Sequence, residues 1–136
     1  MESLIGSGSG APAPPGVESG RKVRAFRAID AFAIEAYEVA RLVRQQDGEA
    51  LAGEIRRNVA RTGGAFVSAC AQEAGSSAER EALAAARARL LEGRYPLYLA
   101  RRLGFFDVRR YRSISARHDA ALREIDVLLS RTSGAP

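Results

Sequence analysis

The chain holds one histidine, His118, and one cysteine, Cys70. That inventory excludes an intramolecular disulfide, a multi-cysteine metal site within one chain and a His-x-x-x-His ligand pair. The Glu-x-x-His pairs of di-iron bundles are missing, as are the phosphate loop Gly-x-x-x-x-Gly-Lys and a dinucleotide fingerprint following a strand. His118 falls on the inward register of a helical pattern, where an imidazole is a hydrogen-bonded core residue more often than a general base. Cys70, between Ala69 and Ala71, reads as a small buried apolar group. No catalytic residue, no metal ligand and no cofactor is expected.

What chemistry remains lies in the arginines. Arg87, Arg89, Arg94, Arg101, Arg102, Arg109, Arg110, Arg112 and Arg117 face only Glu92 and Asp107 in the same stretch, while the whole chain carries a formal net charge of +5. The basic character is therefore local, and the remainder is net negative. A planar guanidinium forks onto phosphate oxygens and keeps its charge, and aromatic rings set among arginines stack on exposed bases. Arg94, Arg101, Arg102, Arg109, Arg110, Arg112, Arg117 and Tyr98 are the candidate nucleic-acid contacts, with Tyr95 and Tyr111 nearby. The same residue types have a second use. Arginines solvate helices or meet acidic protein surfaces, and tyrosines pack between helices or subunits.

The elements that must position these groups are helical. In the 136-residue chain, residues 1–20 contain Ser7-Gly8-Ser9-Gly10 and Pro12-Ala13-Pro14-Pro15-Gly16, a composition that buries too little surface to offset its ordering entropy, so a flexible tail is expected there. Residues 132–136 read as a frayed end, leaving one domain over 21–131. Helix one is expected over 21–44, with Val23, Phe26, Ile29, Ala33, Tyr37, Ala40 and Val43 inward. Helix two is expected over 49–74 on Leu51, Ile55, Val59, Thr62, Phe66 and Ala69, and Gly63-Gly64 suggests close packing or a kink. Helix three follows over 78–103 with Ser77 as N-cap and Arg80 where a capping box would place Glu. Its seam is Leu83, Ala86, Leu90, Gly93, Leu97 and Ala100, and Pro96 should kink it near Gly93. Gly104 ends it, Phe105 and Phe106 form an apolar corner, and Asp107 caps helix four over 108–130, on Tyr111, Ile114, His118, Ala121, Ile125 and Leu128. Four amphipathic helices with short links make an all-α, antiparallel up-down-up-down four-helix bundle.

With the helices placed, the chain resembles the four-helix bundle family that includes proteins encoded within intervening sequences of bacterial 23S rRNA genes, and more distantly the accessory variability determinant of diversity-generating retroelements. The resemblance spans about residues 22–130. It is carried by Phe26, by Ile55-Arg56-Arg57, and by the run Leu91-Glu92 through Tyr98-Leu99-Ala100-Arg101-Arg102-Leu103-Gly104-Phe105. Where that family has an Asn-Ile-Ala-Glu-Gly stretch, this chain has Ser68-Ala69-Cys70-Ala71-Gln72. The resemblance implies a homo-oligomer, pentameric and barrel-like, and a basic nucleic-acid-binding protein that works with a reverse transcriptase.

No stretch approaches the length of an apolar membrane span, and the N-terminus lacks the basic-then-apolar pattern of a secretory signal. With one cysteine, a reducing cytoplasmic location is expected and no membrane partner. The leading expectation is a non-enzymatic oligomeric accessory protein that binds RNA or DNA, possible partners being nucleic acid and a reverse transcriptase or another protein. The alternative is a protein-interaction scaffold in which the arginines solubilise the oligomer or touch an acidic partner.

Overall fold

Apolar side chains returning every three or four residues put one stripe of each helix against a common core. The structure, a computed structural model, describes residues 12–18 and 20–133. It is all helical over the described residues, with α1 Gly20–Gln45, α2 Glu49–Cys70, α3 Ser77–Glu92, α4 Arg94–Arg102 and α5 Val108–Ser133. Helix α1 packs on α2 and α5, α2 packs on α3, and α3 packs on α5, so the bundle closes into a ring. Helix α4 continues α3 beyond a one-residue break at Gly93. The centre is filled by Ile29, Phe32, Ile55, Phe66, Leu83, Leu90, Ile114 and Ile125, each contributing about 1.5–3 kcal/mol by burial.

The inward stripe of α1 differs from expectation. Ala25, Ile29, Phe32, Ala36, Val39, Ala40 and Val43 are buried, Val23, Phe26 and Ala33 lie at the margin, and Tyr37 faces out. Alanines spread around α1 make its pattern fit two registers. The large ring of Phe32 decides between them by meeting His118 edge-on, with centroids 5.1 Å apart. Helix α2 ends at Cys70 rather than 74 and runs through Gly63-Gly64 without interruption. A Cβ at either glycine would meet nothing within 4 Å, so they do not mark close packing.

The cap of α3 is one residue earlier than expected. Ser76 is the N-cap, its Oγ accepting from the Glu79 N–H at 3.1 Å, and Glu79 Oε1 accepts from the Gly75 N–H at 2.8 Å. This is a capping box displaced by one donor. Lys22 Nζ, 3.3 Å from Glu79 Oε2, ties the cap to α1.

Pro96 does not sit inside a continuous rod. The chain breaks at Gly93, and Pro96 becomes the third residue of α4, in the first turn, where a missing N–H leaves no intrahelical bond unmade. A Cβ at Gly93 would run into Asn58 Oδ1, so the break needs glycine for space. The corner before α5 follows expectation. Gly104 adopts φ +83°, Phe106 is buried, and Asp107 Oδ1 accepts the Arg110 N–H at 2.9 Å. Gln46 Nε2 donates to the Phe105 carbonyl at 2.9 Å, which holds the α1–α2 link against this corner.

Residues 12–18 and 132–133 are more ordered than composition suggests. The Val17 N–H donates to the Pro14 carbonyl at 3.1 Å, and Val17 is only 3% exposed, its apolar side chain covering one end of the core. The expected tail thus contributes a core residue, while 1–11 and 19 lie outside the described residues. Helix α5 continues to Ser133 with Thr132 buried, beyond the expected helix end at 130. Residues 134–136 lie outside the described residues.

Candidate nucleic-acid interface

Helix geometry divides the eight expected contacts between two sides of α5. Arg94, Tyr98 and Arg101 recur at i, i+4 and i+7 on α4, and Arg112, Ser115 and Asp119 at i, i+3 and i+7 on α5, so each set shares a face. The two faces adjoin, because Arg94 Nη2 donates to Asp119 Oδ1 at 3.1 Å. Arg110 and Arg117 point to the other side, toward α1. Arg109 lies at the rim of the groove there.

On the α4 side the aromatic residues are open. Tyr95 is 64% exposed and Tyr98 42%, with ring centroids 6.3 Å apart. The guanidinium carbon of Arg102 lies 5.7 Å from the Tyr98 ring centre, and its Nη1 donates to the Tyr98 hydroxyl at 2.9 Å. Arg102 therefore holds the ring in place from one side. No ion pair or side-chain hydrogen bond to a described residue engages Arg101, Arg109 or Arg112. Tyr111 is part of the packing against the core.

On the α1 side the arginines are committed. Glu35, 8% exposed, lies 2.8 Å from Arg117 Nε and 3.5 Å from Arg110 Nε, while Arg110 Nη2 donates to Glu38 at 2.9 Å. These residues line a groove of about 890 Å³ between α1 and α5, floored by Ala31, Ile34, Leu42, Phe105 and Phe106. Asp30 also lines it, and burial pushes its carboxyl above the ordinary value against the opposing pull of Arg27. Four arginines and four acids meet along the groove. Glu35 and Glu38 give no signal in a single sequence, because their partners are more than 70 positions away.

His118 has neither nitrogen free. Nε2 lies 2.7 Å from the Leu90 carbonyl, and Nδ1 accepts from Arg94 Nε at 3.3 Å. The ring thus carries its proton on Nε2 and is neutral, and burial pushes its pKa below the ordinary imidazole value. Burial likewise raises the Cys70 thiol, the Glu79 carboxylate adding to this and Lys22 opposing it. Among the described residues no group of three or more His, Cys, Asp or Glu could hold a metal ion, and no helix is long and apolar enough to cross a membrane.

The chain matches no family model, no curated protein and no solved structure in the comparisons made with each.

Proposed function

We propose that the chain is a non-enzymatic nucleic-acid-binding accessory protein whose contact surface is the outer side of α4 with the start of α5. One observation carries this reading: Tyr95 and Tyr98 present open rings, with Arg102 braced on Tyr98, and Arg101 and Arg112, which have no side-chain partner among the described residues, on the adjoining faces. Rings of this kind stack on bases of single strands while free guanidiniums neutralise phosphates, an arrangement tolerant of sequence. In an antiparallel up-down-up-down arrangement these groups cluster toward the end of the bundle that also holds the α1–α2 link. The resemblance to the intervening-sequence and retroelement proteins adds a homo-oligomer, pentameric by that analogy, and a reverse transcriptase or other RNA-associated protein as working partner in the cytoplasm. Arg110 and Arg117 belong to the reading only as residues that shape α5, since Glu35 occupies them.

The test is fluorescence polarisation of labelled single-stranded and duplex RNA and DNA at low and moderate salt. Binding that weakens by about tenfold or more between roughly 50 and 200 mM salt is expected, because each phosphate contact releases counterions. Arg101→Gln with Arg112→Gln should flatten that slope, and Tyr98→Ala should weaken single strands more than duplex. No binding at the lower salt overturns the reading.

The second reading rests on the groove between α1 and α5. Its apolar floor, with both signs of charge along its rims, suits an amphipathic helix of a protein partner laid between the two helices. A partner held there would bind with little salt dependence, and Ile34→Asp would abolish it.

A further inference from the structure

Several arginines of the bundle have an acid beside them. Arg24 pairs with Glu124, Arg57 with Glu54, Arg87 with Asp126, Arg89 with Glu92, Arg94 with Asp119, Arg110 with Glu38 and Arg117 with Glu35. Arg41, Arg44 and Arg56, like Arg101, Arg109 and Arg112, do not. No ion pair or side-chain hydrogen bond to a described residue engages any of the first three, yet they converge with Tyr37 and Glu49 on one cleft of about 310 Å³ between α1 and α2. Tyr37, Arg41 and Arg44 stand at i, i+4 and i+7 on α1, and Glu49 and Arg56 at i and i+7 on α2, so two single-faced stripes oppose each other. Gly53 occupies the intervening position of the α2 stripe, and only the guanidinium of Arg57 lies near the place its Cβ would take.

Three guanidiniums against one carboxylate leave an excess of two positive charges in the cleft. A phosphomonoester carries about −1.5 to −2 near neutral pH, whereas an internal phosphodiester carries one negative charge, so the cleft is matched to a terminal phosphate. Tyr37, 50% exposed, lines the same cleft, whose volume falls at the lower end of the roughly 300–1,000 Å³ of small-ligand sites. We propose that Tyr37, Arg41, Arg44 and Arg56 form a site for a nucleoside 5′-phosphate, the base on the tyrosine ring and the phosphate between the guanidiniums. The ligand is a free mononucleotide or the 5′-phosphorylated end of an oligonucleotide. The site lies on the α1–α2 side and stands whether or not the Tyr98 surface binds nucleic acid.

Isothermal titration of the full chain with adenosine 5′-monophosphate, adenosine and inorganic phosphate tests it. The monophosphate should bind at least tenfold more tightly than either fragment. Arg41→Gln with Arg56→Gln should remove that binding, Tyr37→Ala should bring the monophosphate to the level of inorganic phosphate, and Tyr98→Ala should change neither. Circular dichroism of each variant establishes that the helices persist, and Arg56→Lys, which keeps the charge, should retain part of the affinity if a variant proves unstable. Matched oligonucleotides with 5′-phosphate and 5′-hydroxyl ends identify the source. A preference for the phosphorylated end assigns the site to strand termini, and equal binding alongside a bound monophosphate assigns it to free nucleotides. A monophosphate that binds no better than adenosine or phosphate, or binding indifferent to the arginine pair, overturns the proposal.

Discussion

His118 Nε2 donates to the carbonyl oxygen of Leu90 at 2.7 Å, and this bond joins α5 to the place where α3 stops. The last carbonyls of a helix lack intrahelical partners, and the break at Gly93 creates such an end inside the bundle. Two side chains from two other helices serve it: His118 meets Leu90, and Asn58 Nδ2 donates to the Arg89 carbonyl at 2.8 Å. The histidine is thus a cap delivered across the core. Leucine at 118 would fill the space without the donor, although the Gly93 N–H would still reach Leu90 at 3.1 Å. His118→Leu should cost on the order of 1 kcal/mol, and His118→Gln, which keeps a donor at similar reach, should cost less. Urea unfolding of both variants checks this, and equal midpoints for wild type and His118→Leu would remove the capping role.

The same histidine sets a pH dependence. Its folded pKa lies below the ordinary value of 6.5 because burial disfavours the cation, with Arg94 acting in the same direction and the Leu90 bond and Asp119 opposing. The unfolded chain therefore takes up the proton first as pH falls. Stability is constant above about pH 6.5 and declines from there down to the folded pKa. Asp30 works in the opposite sense, its raised folded pKa adding stability as pH falls, so denaturant midpoints at roughly pH 7.5 and 5.5 report the imidazole through the difference between wild type and His118→Gln. The midpoint should drop at the lower pH in the wild type and hold in His118→Gln.

Much of this was legible in the sequence, and what was not has definite causes. The seam Leu83, Ala86, Leu90, Leu97 and Ala100 is buried as its spacing requires, and Gly104 and Asp107 turn and cap the corner as their chemistry requires. Helix α1 misled because alanine serves equally in core and margin, so only the fit of Phe32 against His118 selects the register. The break at Gly93 needed knowledge of Asn58, 35 positions earlier in the chain and on another helix. For the candidate contacts, composition located the arginines but could not separate Arg101 and Arg112, without side-chain partners among the described residues, from Arg110 and Arg117, held by Glu35. That distinction depends on the approach of α1 to α5.

Glycine substitutions should divide sharply. At Gly63 and Gly64 a methyl group meets open space in the interior of α2, so Gly63→Ala and Gly64→Ala should each stabilise by about 0.5–1 kcal/mol through helix propensity. At Gly93 the methyl would collide with Asn58, and at Gly104 the backbone stands at φ +83°. Alanine at either position should destabilise by about 1 kcal/mol or more. Thermal melts of the four single variants give the signs directly. A loss of stability at Gly63 or Gly64 would mean that another surface packs there.

Glu35 separates structural arginines from binding ones. It is the buried member of a cluster whose arginines remain a third or more exposed, so either arginine can be lost while the other still faces the carboxylate. Arg110→Gln and Arg117→Gln should each cost about 0.5–1 kcal/mol, but the double variant leaves a buried carboxylate alone and should cost more than the two together. Glu35→Gln should be milder, because the freed guanidiniums can swing into water. None of these changes should alter nucleic-acid affinity by more than about twofold if the contacts lie on the Tyr98 side. Conversely, Arg101→Gln and Arg112→Gln should leave the unfolding midpoint within about 0.5 kcal/mol of wild type while reducing affinity and its salt slope. If affinity instead tracks Arg110 and Arg117, the binding surface is the groove between α1 and α5.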